Sequence, residues 1–482
     1  MGNRLKDSIH YVSIFSQRLG VQHGMCITHP EDEVLHDRNS QDLSTTMNMG
    51  NRIRAIAIAK TARVYIQASR PEESLGQRTR QLIGGLVVGL SLSLLAGGKA
   101  EAASFTYTTI ADTTETFNDI LSGALNPGPS INNEGTVAFA ASLSPQRFGI
   151  FTGSGGSTTT IIQPPGIPYS PVINDSDTVV YGERRSGERA FSFLNVQSSD
   201  GTVTTIDSRR DSIFTTYSPV INNAGIVAFS ATTEGFTGPG APFFFNQDIS
   251  ISSGNSTTTI ASTSDPFFSA LGNPDLNESG TVVFSADLDA GGSGIFTSSG
   301  GSIANLIDTS GLFSSFRDTA INDSNTIAFS ADLDAGGSGI FTNSGGVITP
   351  IAETNGLFSS FGDDSTAINN SGTVAFLANL NAGGTGIFTG LDPVLDKVIA
   401  TGDVLFGSTV TSLSFSKTGL NNSGQIAFFA TLADGTEGIF RANPVSEPPP
   451  QSVPEPVSVL GILVSGALGV GSLRQRQNKH QS

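Results

Sequence analysis

The 482-residue chain has no tryptophan, one cysteine and four methionines. The cysteine is Cys26, the methionines stand at positions 1, 25, 47 and 49, and four of the five histidines also precede residue 50. From Ser104 to Val453 there is therefore no Cys, His or Trp, which removes thiol nucleophiles, histidine general bases and histidine- or thiolate-ligated zinc or copper from that stretch. Positive charge is scarce too. The same stretch carries 32 Asp plus Glu against 10 Lys plus Arg, a formal balance of −22. A surface so negative repels phosphate backbones, which argues against nucleic acid as a partner, and its first consequence is solubility. Sugar-stacking platforms are also thin, since only Tyr107, Tyr169, Tyr181 and Tyr217 remain after Ser104.

What the chain does have is organised into a leader, a repeat region and a tail. Residues 1–76 read as a poorly structured leader with no function assigned. Arg78 and Arg80 then precede the apolar run LIGGLVVGLSLSLLAGG, and Lys99 is followed by Ala100-Glu101-Ala102-Ala103. A basic flank, a short apolar core and a small-residue exit make 77–103 a signal peptide cleaved after Ala102, with a retained anchor as the other reading. At the far end a proline-rich linker (444–453) leads to Pro454-Glu455-Pro456, an apolar stretch at 457–473 and then Arg474, Arg476 and Lys479. The apolar stretch just reaches across a bilayer, with the basic tail on the cytoplasmic side. In this order the segment 454–482 resembles the PEP-CTERM sorting signal. The resemblance implies an exosortase-type protease as processing partner, transient membrane anchoring through 457–473, and delivery to the cell surface or an exopolysaccharide matrix. A plain membrane anchor is the alternative.

Between these ends the motif I-N-x-x-G-x-[VI]-A-F recurs seven times. Its asparagines are Asn132, Asn174, Asn222, Asn277, Asn322, Asn369 and Asn421. The residues three places on are Gly135, Asp177, Gly225, Gly280, Asn325, Gly372 and Gly424. Asn opens a turn through its side chain, and Gly, Asn and Asp are the residues that tolerate positive φ, so each motif predicts a turn followed by a β-branched strand. In five units a Gly-Ile-Phe triplet begins 17 residues after the motif Asn, at Gly149, Gly294, Gly339, Gly386 and Gly438. Seven units of about 48 residues, each with four short strands, predict an all-β fold over 104–443: a seven-bladed β-propeller closed by N- and C-terminal half-blades. An open β-solenoid is the other architecture. The seven motifs together resemble the tandem repeat NxxGxxAF family of secreted proteins, a resemblance that implies secretion and variable anchoring and carries no catalytic residues.

The segment FSADLDAGGSGIF occurs twice, and it places Asp287 with Asp289, and Asp332 with Asp334, ahead of Gly-Gly. D-x-D followed by glycines can offer oxygens to Ca²⁺, though the remaining ligands of an EF-hand are missing; a soluble hairpin turn is the plainer reading. No other cofactor follows from the residues. GERRSGERA gathers Arg184, Arg185 and Arg189, which makes it the natural partner-binding patch on an acidic domain. The leading functional expectation is a secreted, non-catalytic structural or interaction module whose partners are extracellular polysaccharide or surface proteins. A carboxylate-dependent polysaccharide hydrolase and a calcium-dependent adhesion module are the alternatives.

Overall fold

A computed structural model of the protein describes residues 104–445, apart from 115, 124–125, 127, 186–190, 211–213, 237–242, 255, 355 and 393. The expected leader, the expected signal peptide with Ala100, Ala102 and Ala103, and the expected sorting signal with Pro454, Glu455 and Pro456 lie outside the described residues. So do the rest of the linker and the apolar stretch 457–473. Among the described residues no helix is long and apolar enough to cross a membrane.

Each motif turn is tight. In the fifth unit Asn322 N–H donates to Thr326 O (3.1 Å) and Asn325 N–H to Asn322 O (3.0 Å). This hairpin pairs Ile321 with Ile327, so the strand before the asparagine and the strand after it belong to one sheet. The sheet is completed by Ser338–Ser344 and Val347–Glu353, outward from the inner strand Phe313–Ile321 and its neighbour Ile327–Leu333. Seven such sheets follow one another, and we number the blades 1 to 7 by their asparagines, Asn132 to Asn421. The inner strand is in two pieces in blade 1 (Asp119–Ile120 and Ser130–Ile131) and in blade 4 (Phe268–Leu271 and Asp275–Leu276).

The fold is the expected seven-bladed propeller, closed by its two ends, with the strands shared differently from the two-and-two split. Blade 7 takes Ser408–Ser414, Ile426–Leu432 and Glu437–Pro444 from the C-terminal side and only Phe105–Asp112 from the N-terminal side, paired from Phe105↔Pro444 to Asp112↔Gly438. The reason is the motif hairpin: the strand leading into each asparagine is the inner strand of that asparagine's own blade, so Ser408–Ser414, which leads to Asn421, belongs to blade 7 and not to blade 6. A further bond, Ile131 N–H to Thr418 O (2.9 Å), joins blade 1 to blade 7, and no open solenoid is compatible with that ring.

The motif asparagines are buried, 3–5% exposed, and they do more than turn the chain. Each Oδ1 accepts the N–H four residues on, as Asn222 does from Ile226 (2.9 Å). Each Nδ2 donates to the backbone carbonyl of the next blade's asparagine. The distances run 3.3, 3.0, 3.1, 3.4, 3.0 and 3.2 Å from Asn132 round to Asn421, and Asn421 closes the circle on Asn132 O at 3.0 Å. A second circle lies beside it. The backbone N–H of the next residue donates to the side chain at the same position one blade on, through Asn133, Asp175, Asn223, Glu278, Asp323, Asn370 and Asn422.

All seven residues three places after the asparagine have positive φ, from 55° at Asp177 to 83° at Gly135 and Gly372. The two side chains that replace glycine have a further use: Asp177 Oδ1 and Asn325 Oδ1 accept a second bond from Asn132 Nδ2 (3.2 Å) and Asn277 Nδ2 (2.9 Å). Between the blades, phenylalanines from the second and third strands stack, as Phe329 does on Phe341 at 5.6 Å, with inner-strand Phe313 set edge-on to both. The Gly-Ile-Phe triplet follows from this packing. The ring of Phe341 folds back over Gly339, where a Cβ would lie 2.6 Å from it.

Two substitutions test this account. Asn222→Asp keeps the acceptor for Ile226 but sets an oxygen against Asn277 O; we expect a loss of about 2–4 kcal/mol in urea unfolding. A loss under about 0.5 kcal/mol would remove the ring from its structural role. At Gly372 a Cβ would meet open space, so Gly372→Ala carries backbone strain alone. It should cost about 1–2 kcal/mol, and Gly372→Asn less than half of that, because Asn tolerates the left-handed region.

Candidate functional site in the central channel

The inner strands line a central channel, and several of them are irregular at the same level. Extra residues break the register between Tyr169 and Val172, between Phe316 and Thr319, and between Phe361 and Thr366. Bulges of this kind re-aim side chains, and here they bring polar groups to the axis. In blade 6 the bulge is Gly362-Asp363-Asp364-Ser365, and Asp364 takes φ 51°. Ser170 in blade 2 takes φ 47°.

Lys417, four residues before Asn421, crosses the channel from blade 7. Its Nζ stands 3.1 Å from Asp318 Oδ1 in blade 5 and 3.7 Å from Asp364 Oδ1 in blade 6. The Asp318 contact is an ion pair off hydrogen-bond alignment; the ammonium's hydrogen bonds run to Asn273 O (3.3 Å) in blade 4 and Thr319 O (3.2 Å). The Lys417 side chain is 9% exposed and that of Asp318 1%. Asp318 Oδ2 also accepts Thr366 N–H, Asp364 Oδ2 accepts Asn273 Nδ2, and Asp275 Oδ2 accepts Ile321 N–H at 2.8 Å. Four blades are thus tied across the axis by one cation.

Burial raises Asp275 and Asp318 above the usual carboxylate range, and Lys417 draws each part of the way back. Burial would lower Lys417, but Asp318, Asp364 and Asp275 together hold the ammonium above its usual range. A lysine so placed stays protonated and is neither base nor nucleophile.

The cluster divides the channel. A cavity of about 170 Å³ at the asparagine end has Lys417 and Asp275 in its wall, a small one of about 50 Å³ lies beside Lys417 and Asp364, and one of about 380 Å³ opens in the other half. The last is lined mainly by the earlier parts of the inner strands, Asp318, Asp363 and Asp364 among them, with Thr232 and Gln247 from the second and third strands of blade 3.

The other expected sites fall elsewhere. Asp287, Asp289, Asp332 and Asp334 lie in or beside the hairpin turns between second and third strands, with Gly291 and Gly336 at φ 90° and 87° closing turns onto Leu288 and Leu333. Asp332 accepts Ser315 Oγ (2.7 Å) and Arg317 Nη2 (2.8 Å), while the backbone N–H groups of Asp289 and Asp334 donate to Phe267 O and Leu312 O (both 3.1 Å). Among the described residues no three His, Cys, Asp or Glu gather as a metal site. Within the expected basic patch Arg185 is paired with Glu183 (2.6 Å) and lies over Phe193, and Arg189 is outside the described residues. Tyr169, Tyr181 and Tyr217 are buried, and Tyr107 donates to Val398 O.

One family model matches residues 106–459, the stretch that holds all seven blades. The chain belongs to DUF7453, a family of unknown function. A search of curated proteins finds no match. Solved structures similar to this member of DUF7453 include the β-propeller domain of the Trilobed protease from Pyrococcus furiosus, at 14% identity over 54% of this chain and 80% of that one, with a TM-score of 0.39. An oligogalacturonate lyase from Vibrio parahaemolyticus is 12% identical over 72% of this chain and 98% of that one, with a TM-score of 0.42. A puromycin-hydrolyzing peptidase from Mycobacterium tuberculosis is 11% identical over 71% and 56%, with a TM-score of 0.43. At these identities the likeness is one of fold.

The cluster sets its own test. Lys417→Met leaves three carboxylates without their cation, and we expect a loss of about 3–5 kcal/mol at pH 7. Asp275 and Asp318 titrate above their unfolded values, so the folded state binds their protons more tightly and gains from them as pH falls through the window above the ordinary aspartate value. Loss of Lys417 pushes both higher still, so the variant should regain part of its deficit between pH 7 and about 5 in urea titrations. An equal deficit at both pH values would mean that the lysine acts through packing alone.

Proposed function

We propose that the protein is a secreted binding module, delivered to the cell surface or extracellular matrix by an exosortase-type sorting signal, and that it does not catalyse. The supporting observation is how the three carboxylates around Lys417 are engaged. Asp318 has Lys417 on one oxygen and Thr366 N–H on the other, Asp275 holds Ile321 N–H, and Asp364 holds Asn273 and faces Lys417. A carboxylate hydrolase needs an acid and a second carboxylate free to meet substrate and water; this set is occupied in holding the blades together.

The exits of the chain support display at a surface. Val445 N–H donates to Ser104 O at 2.9 Å, so the first and last described residues are neighbours. Both lie at the asparagine end of blade 7, where Asn443 Oδ1 accepts Gln425 Nε2 (2.9 Å). A tail running from 446 to Pro456 would leave there and, if extended, span roughly 34 Å at about 3.1 Å per residue. The half of the channel with the larger cavity then points away from the anchor.

Mass spectrometry of the protein extracted from cell surfaces should find a start at Ala103 and an end near Pro456. The same material should retain the producing cell's own exopolysaccharide without releasing new reducing or unsaturated ends. Release of such ends would overturn the non-catalytic reading and favour the hydrolase.

A further inference from the structure

The larger cavity, of about 380 Å³, falls in the range of roughly 300–1,000 Å³ usual for small-molecule sites, yet its wall is polar where most such sites are apolar. Its free groups decide what it fits. Thr216, Ser218 and Thr232 line it and make no hydrogen bond through their hydroxyls to other described residues. Gln247 Oε1 accepts Leu271 N–H (2.9 Å), which leaves the two Nε2 protons without a partner among the described residues. Asp363 is exposed at the rim with no described partner. Ser170 and Asp364, two of the five described non-glycine residues with positive φ, also border it, and strained backbone of this kind collects at ligand sites.

Charge narrows the class. Both nearby cations are committed, Arg317 to Asp332 at 2.8 Å and Lys417 to Asp318 at 3.1 Å. An anionic ligand would meet Asp318, Asp363 and Asp364 with no free cation among the described residues of the wall. An apolar ligand would strip water from hydroxyls and an amide and return no hydrogen bonds. Groups that are donor and acceptor at once, beside an amide donor and a carboxylate acceptor, match a ligand rich in hydroxyls.

We infer that this cavity binds a saccharide without negative charge, neutral or amino-bearing, through hydrogen bonds with the hydroxyls of Thr216, Ser218 and Thr232, from the amide of Gln247 and to the carboxylate of Asp363. The inference rests on the binding-module reading and names its ligand class. With the Tyr217 ring buried and unable to stack, affinity should be modest, with Kd of about 0.1–1 mM for a short oligomer.

The test is calorimetric titration of the full-length chain with cellotetraose (neutral), a chitosan tetramer (cationic) and tetragalacturonate (anionic). Cellotetraose or the chitosan tetramer should bind and tetragalacturonate should not. Thr232→Val should weaken binding about tenfold, the loss of one or two hydrogen bonds. Asp363→Asn, at an exposed site where folding is not at stake, separates the two saccharides: it should weaken the chitosan tetramer about tenfold and cellotetraose little. Asp287→Asn, near the end of a second strand and outside the cavity wall, should change neither. Tetragalacturonate binding as tightly as the others, no heat with any tetramer up to about 10 mM, or binding indifferent to both cavity substitutions would overturn the site. Failures here and in the wider reading look different. A tetramer bound and then cleaved keeps the site and ends the non-catalytic reading, whereas surface retention without tetramer binding keeps the module and ends the site.

Discussion

One hydrogen bond, repeated seven times, organises this protein: the asparagine Nδ2 of one blade on the backbone carbonyl of the next blade's asparagine. It is buried, so its loss would leave a donor and a carbonyl without their partners. Because the same side chain also fixes its own turn through Oδ1, the geometry within a blade and the angle between blades are set by one residue. The stacked phenylalanines fill the wedges between blades that this angle opens, and their packing forbids a side chain at the glycine of each Gly-Ile-Phe.

Toward the middle of the channel the repetition stops, and a set of single-copy residues takes over. Lys417 binds groups from three other blades, which a circle of identical bonds cannot do. The two devices are complementary: the asparagines join neighbours around the rim, and the lysine joins distant blades across the axis. The second device is the more sensitive to pH, since two of its carboxyls are already pushed toward the protonated form by burial.

The repeat count and the turn were legible because each is written in contiguous residues, Asn followed three places on by Gly, Asp or Asn. What the asparagine side chain does was not legible, because its partner lies 42 to 55 residues away, or 289 across the closure, and becomes a neighbour only when the ring forms. Blade boundaries were misplaced by one strand for a related reason: the hairpin at Asn322 decides which strands pair, and a repeat alignment alone does not say where a sheet begins. The channel cluster is spread over four blades and was less legible, although the sequence carries a signal of it. The near-copies FSSFRDTAIN and FSSFGDDSTAIN differ by two inserted residues, and that insertion is the bulge carrying Asp363 and Asp364. Lys417 is likewise one of only two lysines between Ser104 and Val453.

The three-and-one sharing of blade 7 has a temporal meaning as well. Phe105–Asp112 precedes every other described strand in the chain, and its only strand partner, Glu437–Pro444, is the last. A chain crossing a membrane from its N-terminus would expose that strand first, and it would stay an open edge until more than three hundred further residues had followed. Its sequence, FTYTTIAD, suits the wait: threonines interleaved with apolar residues make a poorer template for stray pairing than an unbroken apolar strand. The seam that completes the ring is thus also a marker of chain completion, since it can be made only when the first strand and the last are both present.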